Sequence, residues 1–247
     1  MEIEFKGKVV IITGGSNGIG EQLVNDFHEA GAKVYFTYLS SEEKAQNLCL
    51  KYDFRRIEGH RVDNKDCDSI KKFLNYVGEK EKKIDVLVNN AGVLLKALAA
   101  NTSLKDWENI IQTNLTSIFV YSSIALRYLF KSGSASIINI SSLNAIKPTK
   151  GVSAYAAAKG GVEAFSKVIM QEYASFKIRV NTVAPGLVDT QIADLVDPEF
   201  KKRIIKNTPL RRLCTTKDVS NAVMFLASDF ASFITGEQIL LTGGRHI

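Results

Sequence analysis

Cysteine is scarce: 247 residues contain three, Cys49, Cys67 and Cys214. Their odd number and lack of metal or redox spacing exclude a disulfide framework and a sequence-encoded metal site. They read as reduced thiols, which points to the cytoplasm. Long apolar runs are absent too. Val9-Val10-Ile11-Ile12 and the stretch around Val183-Ala184-Pro185 are far too short to cross a bilayer. Met1-Glu2-Ile3-Glu4-Phe5-Lys6 leads straight into a strand pattern with no signal-peptide core. No linker, repeat or low-complexity stretch marks a boundary, so residues 1–247 are expected to form a single domain. No basic block stands out either. The net charge of +6 is dispersed and interleaved with acids, as in Glu79-Lys80-Glu81-Lys82-Lys83, which argues against a nucleic-acid surface. A mild positive excess suits phosphorylated cofactors and acidic substrates.

What is present is alternation. Short β-branched runs at 8–13, 33–38, 84–88, 136–140, 178–183 and 238–241 are separated by helix-length amphipathic segments. Those segments lie near 19–30, 42–51, 66–80, 104–130, 154–175 and 217–227. A less apolar strand fits 56–62. Strand and helix in turn predict an α/β fold: a doubly wound, mainly parallel seven-stranded sheet with helices on both faces. In such sheets ligands bind beyond the carboxyl ends of the strands.

The residues that follow the strands carry the chemistry. After the first comes Thr13-Gly14-Gly15-Ser16-Asn17-Gly18-Ile19-Gly20, entering a helix. Glycines there permit close backbone approach, and a helix N-terminus offers unpaired N–H groups to a pyrophosphate. After the fourth stands Asn89-Asn90-Ala91-Gly92, readable as a turn or as a small-residue wall against a cofactor. Ser141 and Ser142 follow the fifth, and Pro185-Gly186-Leu187-Val188-Asp189-Thr190 follows the sixth. Thirteen residues past Ser142, Tyr155 and Lys159 lie one helical turn apart. A phenol titrates near pH 10, and an adjacent ammonium favours the phenolate, bringing the hydroxyl toward a useful range. Alone the pair reads equally as an exposed helix face.

Together, Thr13-Gly14-x3-Gly18-x-Gly20, Asp63, Asn89-Asn90-Ala91-Gly92, Asn114, Ser142, Tyr155-x3-Lys159 and Pro185-Gly186 resemble the short-chain dehydrogenase/reductases, in family order along the whole chain. The C-terminal half most resembles 3-oxoacyl-thioester reductases, through Asn181-Thr182-Val183-Ala184-Pro185-Gly186, Pro209-Leu210-Arg211-Arg212 and Ile234-Thr235-Gly236-Glu237. The resemblance implies Tyr155 as general acid, Ser142 as carbonyl-orienting donor, Lys159 on the nicotinamide ribose, and Asn114 at a helix irregularity serving the proton relay. It implies that Gly14, Ser16, Asn17, Gly18, Ile19, Gly20, Tyr38, Ser40, Asp63, Asn64, Asn90, Ala91, Gly92, Pro185, Gly186, Val188 and Thr190 meet the cofactor. Asn89 would tie strands together, and the Ser141 side chain would point away from the site.

Acids that bind the ribose of NAD commonly end the second strand. Val34-Tyr35-Phe36-Thr37-Tyr38-Leu39-Ser40-Ser41 offers none before Glu42, so NADP(H) is favoured over NAD(H). Asn17, however, stands where many NADP-preferring relatives carry Arg or Lys. The expected activity is reduction of a 3-oxoacyl thioester, free or bound to an acyl carrier protein. A polyketide-type ketoreductase, a sugar, steroid or alcohol dehydrogenase, and a non-catalytic dinucleotide-binding regulator are the alternatives. Residues 187–208 would form a variable lid. Leu94, Asn144, Leu187 and Ile192, with Ser142 and Tyr155, would line the substrate pocket. Family carrier-docking bases map onto Gly133 and Phe176, leaving Arg127, Lys131 and Lys177 as neighbours. Relatives with this pattern usually form homotetramers.

Overall fold

Seven strands assemble in the order β3-β2-β1-β4-β5-β6-β7, every neighbouring pair parallel. They are β1 (Val9–Ile12), β2 (Lys33–Tyr38), β3 (Ile57–Arg61), β4 (Val86–Asn89), β5 (Ala135–Ile140), β6 (Ile178–Pro185) and β7 (Gln238–Leu241). This is a computed structural model, and it describes residues 3–52, 55–190 and 197–246. β1, β4 and β5 are buried along their whole length, as a sheet covered on both faces requires. β3 is an edge strand, mostly half-buried, which explains its weak apolar signal in the sequence.

Side chains alternate across the pleat and feed two cores. Val10 and Ile12 join Leu23, Val24 and Phe27 of α1 (Gly18–Glu29), Ala45 and Leu48 of α2 (Glu42–Leu50), and Val219, Val223 and Leu226. Val9 and Ile11 pack on the other face with Ile70, Leu74 and Val77 of α3 (Cys67–Glu81). Tyr121, Ala125 and Leu129 of α5 (Ser117–Leu129) and Ile169 of α6 (Ser153–Tyr173) complete that layer.

The segment expected as one helix over 104–130 is two. α4 (Leu104–Ile111) passes through a π-helical turn, Gln112–Thr116, into α5. Beyond β6, α7 (Pro198–Lys206) starts on an Asp197 cap that accepts from Phe200 N. α8 (Thr216–Ala227) starts on a Thr215/Asp218 capping box. Ile192, Leu195 and Val196 of the expected lid lie outside the described residues.

α1, which carries the glycine loop, is clamped to α8 by a buried carboxylate. Asp26 accepts from Ser220 Oγ at 2.5 Å, Lys217 Nζ at 2.7 Å and Gln22 Nε2 at 3.1 Å. Replacing Asp26 by Leu strands the buried Ser220 hydroxyl and the donors around it. We expect a loss of about 2 kcal/mol, read as a lower urea midpoint at unchanged m-value.

Candidate active site

The turn leaving β1 is stitched to the turn leaving β4. Thr13 Oγ1 accepts from Asn90 N at 3.0 Å and Ala91 N at 2.9 Å. Asn90 Nδ2 donates back to the Thr13 and Gly14 carbonyls. Gly14 and Gly18 adopt φ of 67° and 53°, where a side chain would be strained. A Cβ on Gly14 would also press on Ala91, and one on Gly18 would come within 3.3 Å of Thr190 Cγ2. The loops after β1, β4 and β6 therefore wall one cleft. Asn17 is the N-cap of α1 but makes no cap hydrogen bond, so its side chain leaves the first-turn N–H groups to a ligand. Buried Ser16 and Gly20 and half-buried Gly18 and Ile19 line the same turn. This cradle fits a dinucleotide pyrophosphate.

At the end of β2 stand Tyr38, exposed Ser40, and Ser41. Asn17 Nδ2 donates to Ser41 Oγ at 2.9 Å, and Lys44 Nζ donates to Asn17 Oδ1 at 2.9 Å. Arg61, paired in register with Tyr38, donates to the Leu39 carbonyl. Lys44 and Arg61 are cations that inspection of the sequence missed. Lys44 sits in the first turn of a helix and Arg61 at the end of a weak strand, and neither position stands out without the fold. Asp63 accepts from Lys65 N at the rim. Asn64 gives its side-chain oxygen to the Tyr121 hydroxyl at 3.0 Å, so that atom already has an internal partner.

The chemistry-bearing groups meet past β5. Ser142, buried, caps a short turn by accepting from Asn144 N at 3.1 Å, while Asn144 Oδ1 holds Thr149 N and Oγ1 at 3.1 Å each. Tyr155 rises from the first turn of α6 beside it. Burial pushes the phenol above its usual range, and the Ser142 hydroxyl acts the other way. Lys159, one turn on, is buried and donates to the Ile140 carbonyl at 2.7 Å. Its Nζ lies 5.8 Å from the Tyr155 ring centroid. Desolvation lowers its pKa to about 8, with Glu163 opposing.

Asn114 lies in the π turn. Its Nδ2 donates to the Val93 and Ile110 carbonyls at 2.9 Å each, and its Oδ1 accepts from Val93 N at 3.1 Å. A Cβ on Gly92 would come within 2.7 Å of Asn114 Oδ1 and 3.8 Å of Lys159 Nζ, so the two side chains converge on that glycine. Asn89 donates to Asn139 Oδ1 across the sheet at 2.8 Å and to Ser122 at 3.2 Å. Ser141 Oγ is buried and has no hydrogen-bond partner among the described residues.

A family model described as "Enoyl-(Acyl carrier protein) reductase" matches residues 14–246. The chain belongs to the short-chain dehydrogenase/reductase family. It is 39% identical to the 3-oxoacyl-[acyl-carrier-protein] reductase FabG of Chlamydia pneumoniae, over 99% of both chains. It is 36% identical to the Haemophilus influenzae protein of that name, over 98% of this chain and 100% of the other. Among solved structures, a glucose/ribitol dehydrogenase-type family member from Brucella melitensis superposes with TM-score 0.94 at 30% identity, covering 100% of both chains. A 7α-hydroxysteroid dehydrogenase complexed with NADH and a 7-oxo bile acid gives 0.93 at 27%, covering 98% of this chain and 96% of the other. As a member of this family the chain is an NAD(P)H-type oxidoreductase acting on hydroxyl and carbonyl groups.

Leu94 and Ile146 are exposed and Leu187 is half-buried. Lys96 and Arg203 flank the Phe200 ring of α7 at 5.3 and 5.1 Å. A cavity of about 520 Å³ runs beneath α7, lined by Gly186, Leu187, Ile204, Leu213, Leu240 and Thr242 among others. Pro185 ends β6 buried, Val188 is buried behind it, and Thr190 Oγ1 bonds the Val188 carbonyl. The proposed docking cations stand elsewhere. Arg127, Lys131 and Lys177 precede β5 and β6 and so occupy the amino-terminal edge of the sheet, opposite Ser142 in the same chain. At that edge Phe176 meets Phe130 edge to face, with ring centroids 5.1 Å apart. No helix among the described residues is long and apolar enough to cross a membrane.

Because Lys159 titrates lower in the folded chain than unfolded, the unfolded state binds more protons between about pH 8 and 10. Stability is therefore penalised below pH 8 and rises with pH through that window. We expect the wild-type melting temperature to carry this upward component, and Lys159→Met to lack it. Parallel pH slopes for the two proteins would contradict the assignment.

Proposed function

We propose that the chain is an NADPH-dependent ketoreductase that converts a 3-oxoacyl thioester to its 3-hydroxyacyl product, with Tyr155 as general acid. The observation that carries the reading is the meeting of two hydroxyls, Ser142 and Tyr155, beside a buried Lys159 at the carboxyl end of β5. Two O–H groups on one side of a cleft suit a carbonyl oxygen that gains negative charge. They favour a ketone over the carbon–carbon double bond that the family description names. The thioester is supported by relatives in which the printed name is 3-oxoacyl-[acyl-carrier-protein] reductase at 34–39% identity. Leu94, Asn144 and Leu187 are the proposed walls for it; Ile192 belongs to the same proposal but lies outside the described residues.

When bound, the reduced nicotinamide supplies the hydride. Ser142 donates to the carbonyl oxygen and holds it in line. Tyr155 gives that oxygen its proton, and the phenol raised by burial is fully protonated before the step. Lys159, anchored on Ile140, orients the ribose and offers the positive charge that the forming phenolate needs. Asn114, fixed in the π turn, holds the path by which protons return toward Lys159. Gly14 to Gly20, Asn90, Ala91, Gly92, Asp63, Asn64, Pro185, Gly186, Val188 and Thr190 form the dinucleotide cleft in this reading.

The preference for NADPH rests on Lys44 and Arg61. With no acid at the end of β2, Lys44 on Asn17 supplies the cation that the loop itself lacks, beside Ser40, Ser41 and Tyr38. The acidic carrier is the proposed partner. Its docking cannot use Arg127, Lys131 or Lys177 at the entrance of the chain that holds them, so those cations would serve a second copy in a homotetramer. Exposed Phe119 on α5 and Val168 on α6 supply apolar surface for such an assembly.

Steady-state assays with NADPH on an acyl-carrier 3-oxoacyl thioester, acetoacetyl-CoA and a panel of free ketones, sugars and steroids test the substrate. Turnover confined to the free compounds would contradict the thioester assignment. Tyr155→Phe should retain NADPH binding and lose turnover on the order of 10³-fold. Lys44→Ala should raise the Kd for NADPH about tenfold and leave that for NADH unchanged. An equal change for both dinucleotides would remove Lys44 from the phosphate site.

A further inference from the structure

Glu163 is a partly buried carboxylate to which the mechanism above gives no role. It lies one turn beyond Lys159 on α6, so the two side chains leave the same helix face. Both point at the sheet. Lys159 reaches the Ile140 carbonyl on β5, and Glu163 Oε2 accepts from Thr182 Oγ1 on β6 at 2.8 Å. In the parallel register Thr182 sits opposite Asn139, the residue before Ile140, so the two anchor points are diagonal neighbours. Glu163 Oε1 is buried and makes no hydrogen bond among the described residues. A carboxylate oxygen without a donor is costly to bury unless a nearby positive charge stabilises it. Lys159 is that charge, and Glu163 is the charged neighbour that acts on it.

We propose that Glu163 is a positioning residue of the catalytic set, a fixed negative charge that keeps Lys159 in its ammonium form against burial. The inference rests on the catalytic reading of Lys159 given above. Among the described residues, those recorded against the pair from neighbouring elements are uncharged: Ile140 from β5, Thr182 from β6 and, across Gly92, Asn114 from the π turn. On α6 itself, Tyr155 is the other titratable neighbour. Thr182 fixes where the Glu163 charge sits, so the hydrogen bond and the charge can be tested apart.

Glu163→Gln keeps an acceptor for Thr182 and removes the charge; Thr182→Val removes the hydrogen bond and keeps the charge. The measurements are the pH profile of kcat/KM for ketone reduction and, separately, the pH dependence of NADPH Kd by fluorescence titration, from pH 6 to 10. In the wild type both should weaken as Lys159 loses its proton near pH 8. Glu163→Gln should move that limb down by about one pH unit in both readouts. Thr182→Val should lower thermal stability while moving the limb far less. An unmoved limb in Glu163→Gln, or an equal shift in Thr182→Val, overturns the proposal. If Glu163→Gln does not fold, Glu163→Met carries the same readout against Thr182→Val. Failure of the underlying reading looks different: Lys159→Arg would then leave both wild-type limbs in place.

Discussion

The hydrogen bond from Lys159 to the Ile140 carbonyl is the contact on which the site depends. It pins the first turns of α6 to the carboxyl end of β5, and thereby sets Tyr155 beside Ser142. It also imposes the main electrostatic burden, since a lysine taken out of water loses hydration that a carbonyl alone cannot replace. The surroundings answer that burden in layers. Asn114 and Lys159 converge on Gly92, where the absence of a side chain leaves room for both. Glu163 stands one turn away with an oxygen that no hydrogen bond among the described residues occupies. A buried cation whose pKa desolvation has lowered is a group whose state small changes nearby can alter.

The all-parallel sheet makes this convergence possible. With every strand running the same way, the turns after β1, β4, β5 and β6 open on one edge, where the glycine loop, Asn90, Ser142 and Thr190 can share a cleft. The same geometry excludes other pairings. Arg127, Lys131 and Lys177 stand at the start of β5 and β6, and the six residues of β5 separate them from Ser142 by roughly 20 Å. Nearness to the active-site motifs in sequence did not make them neighbours in space.

Much of the fold was legible because period and punctuation agree. β1, β2, β5 and β7 sit where β-branched runs predict them, and the strand-end motifs follow them as the sheet requires. The resemblance placed an irregularity at Asn114, but the residue pattern alone did not show the break between α4 and α5, because no Pro or Gly marks it and the apolar pattern continues across it. Its cause is the Asn114 side chain, bonded to the Ile110 carbonyl within the π turn and to both backbone groups of Val93. Lys44 and Glu163 were missed for a related reason. Each looks like an ordinary charged helix residue until the fold brings Asn17 to one and Thr182 to the other.

The central claim is that Ser142, Tyr155 and Lys159 deliver a proton to a carbonyl oxygen while hydride arrives at its carbon. The most direct measurement follows the label. NADPH carrying deuterium on either face of nicotinamide C4 is incubated with a 3-oxoacyl thioester, and the product is analysed by mass spectrometry and NMR. The account predicts that one labelled face alone transfers deuterium, that it appears at C3 of a 3-hydroxyacyl thioester, and that the new hydroxyl proton comes from solvent. Recovery of the 3-oxoacyl thioester unreduced, with deuterium transferred only to an enoyl thioester to give a saturated acyl product, or no transfer to the thioester while free alcohols are oxidised, would contradict it.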